Sequence, residues 1–107
     1  MISLVEDKAK AGHLADTLKS LAHPIRLRIV GLLCAEDLSV TVMAERLDVP
    51  QAILSQQLRI LRMSGLVGPF RTGGRSRYRL GEPRLRQLIK CLEGCPSNRT
   101  QGGQYER

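Results

Sequence analysis

Residues 51–64, QAILSQQLRILRMS, carry glutamine, serine and arginine side chains and no acid. Placed at about 100° per residue, Leu54, Leu58, Leu61 and Ile53 share one face, with Gln57 at its margin. Ala52, Ser55, Gln56, Arg59 and Arg62 share the other. Short hydrogen-bonding groups followed by guanidiniums suit a helix laid in the major groove of DNA. Gln51, Ser55 and Gln56 would meet base edges, and Arg59 and Arg62 would meet guanine or phosphate. The other reading is a polar face that only meets water, but such faces usually mix Glu with Lys. Further on, Arg71, Arg75 and Arg77 flank Gly73-Gly74, and their guanidiniums suit phosphates or a neighbouring minor groove. The remaining reactive side chains are Cys34, Cys91 and Cys95, the last two one helical turn apart. Nothing supports catalysis. His23, in an Ala-His-Pro segment, reads as a local hydrogen-bonding residue, and His13 has no second ligand nearby in sequence. No serine or cysteine stands at a nucleophile spacing from either, and no glycine-rich phosphate loop precedes a helix.

Composition agrees with a polyanion partner. The chain has 107 residues, one domain by size, with 42% hydrophobic and 25% charged residues and a net charge of +7. Residues 1–58 hold six basic and seven acidic side chains, whereas residues 59–90 hold nine basic ones against Glu82 alone. The whole excess sits in that stretch, and the footprint is expected there. One Phe, two Tyr and no Trp argue against a single-strand binder that stacks successive bases. Glu6, Asp7, Lys8 and Lys10 interrupt any secretory segment, and the run Ile29–Ala35 is far short of a membrane span. Three cysteines without a secretory context imply reduced thiols and a cytoplasmic protein.

The positioning elements follow from periodicity and punctuation. Leu14, Leu18 and Leu21 make residues 9–21 an amphipathic helix, and Pro24 opens a second, mostly apolar helix that reads as the central buried element. Ser39 is an N-cap for a short third helix through Leu47. Asp48-Val49-Pro50 is a tight turn in which Asp48 suits a left-handed residue, and Pro50 opens the fourth helix, ended by Gly65. Strands Val67–Arg71 and Arg75–Leu80 surround a Thr72-Gly73-Gly74 tip, with Phe70, Tyr78 and Leu80 anchoring the hairpin. Pro83 starts a last helix with Leu85, Leu88, Ile89 and Leu92 on one stripe, stopped by Gly94 and Pro96. The expected fold is mainly α with a small β-hairpin, a winged helix-turn-helix. Residues 1–8 would form an arm, 9–95 the domain and 96–107 a disordered tail.

The runs LKSLAHPIRLRIVGLL, LSVTVMAERLDVPQAILSQQLRILRMSGLV and RTGGRSRYRL together resemble the ArsR/SmtB family of small bacterial winged-helix repressors. The resemblance implies a homodimer held by the first and last helices, bound to double-stranded DNA and released by an ion or by cysteine chemistry. The metalloid pattern of cysteines at the start of the third helix is not met, because Ser39 and Thr41 stand there. The zinc pattern of Asp and His on the last helices is not met either, since residues 83–93 contain neither. The SQQL run is similar to the BigR/SqrR/HlyU-like branch, which implies persulfide or oxidant sensing by one cysteine on the second helix and one on the last. Carried over, that pairs Cys34 with Cys95, or alternatively with Cys91. Two alternatives stay open for the thiols: a soft metal(loid) ion held by Cys34, Cys91 and Cys95, and three cysteines acting only as small hydrophobes. No cofactor is implied. A winged-helix module that binds a protein partner, with DNA incidental, is the second function class.

Overall fold

Local chemistry sets where each helix starts. The computed structural model describes residues 3–94; Cys95 and the expected tail 96–107 lie outside them. Helix α1 (Lys8–Leu21) begins at Asp7, whose carboxylate accepts from the Lys10 N–H at 3.0 Å. Helix α2 (Pro24–Ala35) begins at His23, whose Nδ1 accepts from the Ile25 N–H at 3.1 Å, the local role expected of this histidine. Helix α3 (Val40–Leu47) is capped by the Ser39 hydroxyl, which accepts from the Val42 N–H at 3.2 Å. Helix α4 (Gln51–Met63) follows directly on Pro50.

Helices α3 and α4 stop in the same way. At the end of α3 the Val49 N–H donates to the Ala44 carbonyl at 3.0 Å and the Asp48 N–H to Glu45 at 3.2 Å, with Asp48 left-handed at φ 56°. At the end of α4 Leu66 donates to Leu61 at 3.0 Å and Gly65 to Arg62 at 2.9 Å, with Gly65 at φ 75°. Both are Schellman closures, and buried Leu61 and Leu66 supply the apolar contact that accompanies the second.

Strands β1 (Val67–Thr72) and β2 (Arg75–Leu80) form an antiparallel hairpin closed by a two-residue Gly73-Gly74 turn, both glycines at positive φ. Its register pairs Val67 with Leu80, Pro69 with Tyr78, Phe70 with Arg77 and Thr72 with Arg75. Leu38, just before α3, makes a further bridge: its N–H donates to the Tyr78 carbonyl at 3.2 Å and its carbonyl accepts from Tyr78 at 2.7 Å. Two strands alone are marginal in water, so this bridge and the buried Leu80 hold the wing to the helices.

The core runs through α2, with Ile29, Val30 and Leu33 fully enclosed. Around them pack Met43 and Leu47 of α3, Leu54, Leu58 and Leu61 of α4, Val67 and Leu80 of the hairpin, and Ile89 of α5 (Leu85–Glu93). All buried side chains among the described residues are apolar. Full burial is worth roughly 1.5–3 kcal/mol for each such aliphatic chain, which makes the inner face of α4 one of the strongest anchors in the domain.

Two expectations are corrected, the start of α5 and the place of Ile53. Helix α5 starts at Leu85, not Pro83, because Glu82 turns back to accept from the Arg84 backbone N–H at 3.1 Å and from its guanidinium at 2.7 and 2.9 Å. Only Leu21 of α1 is buried, while Leu14 and Leu18 remain 39% and 56% exposed, and Leu92 of α5 is 47% exposed. Ile53, placed on the inner face of α4 by periodicity, is 41% exposed. The inner surface of α4 is therefore the narrower set Leu54, Leu58 and Leu61, whose spacing of four and three residues follows one stripe.

Candidate nucleic-acid interface

Burial of the Leu54–Leu58–Leu61 stripe fixes the roll of α4 and turns Gln51, Ala52, Ser55, Gln56, Arg59 and Arg62 to solvent. All five residues of α4 expected to meet DNA are thus exposed, and none is spent on an ion pair or side-chain hydrogen bond among the described residues. Gln57, at the margin, is half-buried and accepts from Arg26 of α2 at 2.8 Å. The short Asp48–Pro50 connection brings α3 in just ahead of α4. The α3 and α4 cores share the enclosed Met43 and Leu54 layer, which is the rigid pair a groove-reading helix needs.

The wing is placed differently from expectation in one respect. A two-residue turn pairs Thr72 with Arg75, so Arg75, Arg77 and Arg79 share a face with Thr72 and Phe70, while Arg71 shares the opposite one with Ser76, Tyr78 and Leu80. The structure does not bring Arg71 together with Arg75 and Arg77. Instead Arg71 donates to the Gly74 carbonyl at 3.1 Å and braces the tip. Phe70 likewise sits on the arginine face, under the Arg79 guanidinium at 3.9 Å from the ring centroid. It does not serve as an inward anchor beside Tyr78 and Leu80. Arg79 was missed as a site residue, although strand alternation from Arg77 already places it on this face.

Besides Arg71 and Arg79, two more of the nine basic side chains between 59 and 90 have local partners. Arg84 is held by Glu82, and that guanidinium keeps the Glu82 carboxyl down at about 2, so the pair stays ionised at any physiological pH. Arg86 of α5 donates to the Cys34 carbonyl at the end of α2, 3.1 Å away. Apart from Lys90 of α5, the charge available to a polyanion therefore lies on α4 and on the Arg75–Arg77–Arg79 face.

Cys34 is half-buried beside a cleft of about 310 Å³ between α2 and α5, lined also by Gly31, Arg86, Ile89, Lys90 and Glu93. Burial pushes its thiol up, Arg86 opposes that and Glu93 adds to it. Cys91 is exposed. On α5 it stands about 100° around the helix from Lys90 and further from Arg86 and Glu93, which face the cleft, and it does not line the cleft with Cys34. The expected Cys34–Cys95 pair and the three-thiol ion site both need Cys95, outside the described residues. No described helix is long and apolar enough to cross a membrane.

Known proteins share this arrangement. The sequence profile of bacterial regulatory proteins of the arsR family matches residues 23–68, from the cap of α2 to the start of the wing. The biofilm growth-associated repressor of Xylella fastidiosa (strain Temecula1) is 40% identical over 88 residues, covering 81% of this chain and 77% of that protein. Among solved structures, the transcriptional repressor BigR from Xylella fastidiosa superposes with a TM-score of 0.77 at 34% identity, over 90% of this chain and all of that one. The homodimeric winged helix-turn-helix DNA-binding domain of Mb0332 from Mycobacterium bovis does so with a TM-score of 0.71 at 28% identity, over 79% of each chain. With identity of this level running through both the helix-turn-helix and the wing, the chain belongs to the arsR family of bacterial regulatory proteins.

Proposed function

We propose that the protein is a homodimeric, sequence-specific repressor of transcription that docks α4 in the major groove of double-stranded DNA and closes its wing on the flanking backbone. The observation that carries this reading is the division of α4 into an enclosed leucine stripe and an exposed, acid-free face of Gln51, Ser55, Gln56, Arg59 and Arg62. Gln51, Ser55 and Gln56 take the base edges; Arg59, Arg62, Arg75 and Arg77 take phosphates. Arg71 acts on the backbone through the tip it braces. The exposed Leu14, Leu18 and Leu92 make the surfaces of α1 and α5 the natural dimer contact, in keeping with the homodimeric Mb0332 domain. Two symmetry-related recognition helices call for a near-palindromic site with half-sites about 34 Å apart or a multiple of that.

Gln56→Ala is expected to lower affinity for the preferred duplex by about 1–3 kcal/mol while leaving random duplex almost untouched. Fluorescence anisotropy with both duplexes at one salt concentration measures it, and equal losses on the two would remove Gln56 from base reading.

Release from DNA is assigned to thiol chemistry of persulfides or oxidants, with Cys34 linked to Cys95, or to Cys91, by a disulfide or polysulfide bridge. Cys34 fits the role because its cleft lies where α2 meets α5, and Leu38, four residues on, is bonded to the wing at Tyr78. Burial raises its thiol pKa, which disfavours Cys34 as the attacking thiolate. Treatment with a polysulfide donor is expected to add sulfur or a crosslink at Cys34 and to weaken operator binding at least tenfold, with Cys34→Ser insensitive. Unchanged mass and unchanged binding would end the thiol reading and leave the DNA reading standing.

A further inference from the structure

Helix α1 is held to the domain mainly at one end. Of its 14 residues only Leu21, the last, is buried, so apolar packing gives its far end little direction. A helix of this length spans about 21 Å, and a tilt of roughly 10° at the base moves the tip by about 3–4 Å. Polar contacts at the base therefore decide where α1 points. Two of them reach α4 or its C-cap. The Ser20 and Ser64 hydroxyls meet at 2.6 Å. Arg26 donates through Nε to the Ser20 carbonyl at 2.6 Å, through Nη2 to the Lys19 carbonyl at 3.5 Å, and through Nη1 to Gln57 Oε1 at 2.8 Å.

The Ser20 carbonyl is one of the open acceptors at the C-terminus of α1, the Lys19 carbonyl next to it already takes the Ala22 N–H at 3.2 Å, and a cation there is favoured by the helix dipole. Arg26 thus caps one helix and grips another with a single planar fork, and its half-buried position strengthens both bonds. Gln57 is next in sequence to Gln56 but is turned inward, so the grip falls on α4 itself without using a base-reading side chain. The other arginine of α2, Arg28, donates instead to the Leu47 carbonyl at the end of α3, 3.0 Å away.

We infer that Arg26 is a positioning residue that sets the angle between α1 and the recognition helix α4 through Gln57, and thereby the half-site spacing the dimer accepts. The inference rests on the proposed reading of α4 as the groove reader and α1 as part of the dimer contact. Arg26 touches no DNA in this scheme; it fixes the geometry in which two copies of α4 arrive together.

The test starts with wild-type protein selecting duplexes from a random-sequence pool, followed by a series with one base pair inserted or removed between the half-sites. Arg26→Met and Gln57→Met are each expected to lose about tenfold of the wild-type preference for the selected spacing. The double variant should lose no more than either single one. The salt slope and the dimer should stay unchanged, which a lost phosphate contact or a simple loss of fold would not allow. Gln57→Glu keeps an acceptor for the guanidinium and should keep the wild-type spacing preference, which decides the matter even where Arg26→Met does not fold. Wild-type spacing preference in Gln57→Met, or a loss in Gln57→Met that a folded Arg26→Met does not share, would overturn the inference. If wild-type protein enriches no duplex at all, the DNA reading fails and this inference with it; enrichment by wild type with unaltered variants removes the inference alone.

Discussion

Removing Arg75 and Arg77 together is expected to weaken duplex binding by about three and a half orders of magnitude at 0.1 M salt and by only about tenfold at 0.5 M. The figure follows from counterion release. Each phosphate contact contributes about 0.9 to the slope of log affinity against log salt, and two arginines in each of two protomers make four contacts. A dimer engaging about eight phosphates would fall from a slope near −7 to one near −3.5. The pair is suited to the test because its structural duties are slight. Both side chains are exposed on the outer face of β2, and the ion pairs among the described residues are Glu36–Arg46 and Glu82–Arg84. Stability of Arg75→Ala/Arg77→Ala should therefore stay within about 0.5 kcal/mol per site. Arg71→Ala would be a poorer probe, since it also frees the Gly74 carbonyl at the wing tip. A salt titration by fluorescence anisotropy on random and selected duplexes measures the effect. An unchanged slope would take the wing off the backbone.

Residues acting on their near neighbours in sequence were the legible ones. Ser39 capping α3, Asp48 in the left-handed turn and Gly65 closing α4 could all be placed from the residue type and what flanked it. The leucine stripe of α4 was legible too, apart from Ile53, because three fully enclosed leucines dominate a helix that has no acid to blur the pattern. What escaped is long-range. A three-residue Thr72-Gly73-Gly74 tip would pair Arg71 with Arg75 and put them on one face; the two-residue turn shifts the register by one and sends Arg71 to the other. The same shift carries Phe70 from the inner face to the arginine face. Leu38 meets Tyr78, and Arg26 meets Gln57 across 31 residues, through bonds that leave no local pattern. For α1 and α5, periodicity reports an apolar stripe but not what covers it. The stripe on α1 proved to be mostly uncovered by its own domain.

Among the described glycines, Gly81 at the base of the wing is where an added Cβ comes closest to backbone, and Gly81→Ala is expected to cost about 2–3 kcal/mol. The Gly81 N–H donates to the Leu66 carbonyl at 2.8 Å, extending the hairpin ladder to the residue that closes α4. A Cβ at Gly81 would stand 2.6 Å from the Gly65 carbonyl oxygen, with Gly65 C at 3.4 Å and Leu66 C at 3.5 Å. These are backbone atoms, and Leu61, Leu66, Val67 and Leu80 are buried around them, so no side chain can swing aside to make room. Either the ladder bond opens or the Schellman closure does. For a domain of about this size the loss lowers the melting temperature by roughly 10–20 °C, read at fixed protein concentration because the proposed dimer would contribute to stability. Gly65→Ala separates the two causes of glycine use here. A Cβ there meets nothing within 4 Å, so only its φ of 75° is strained, and the cost should be nearer 1–2 kcal/mol. If Gly65→Ala proves the costlier substitution, the close approach at Gly81 is not what joins α4 to the wing. If the order holds, the recognition helix and the wing share one rigid junction, and folded Gly81→Ala protein should lose affinity for selected duplex more than for random duplex, because discrimination needs both elements in register while bare charge does not.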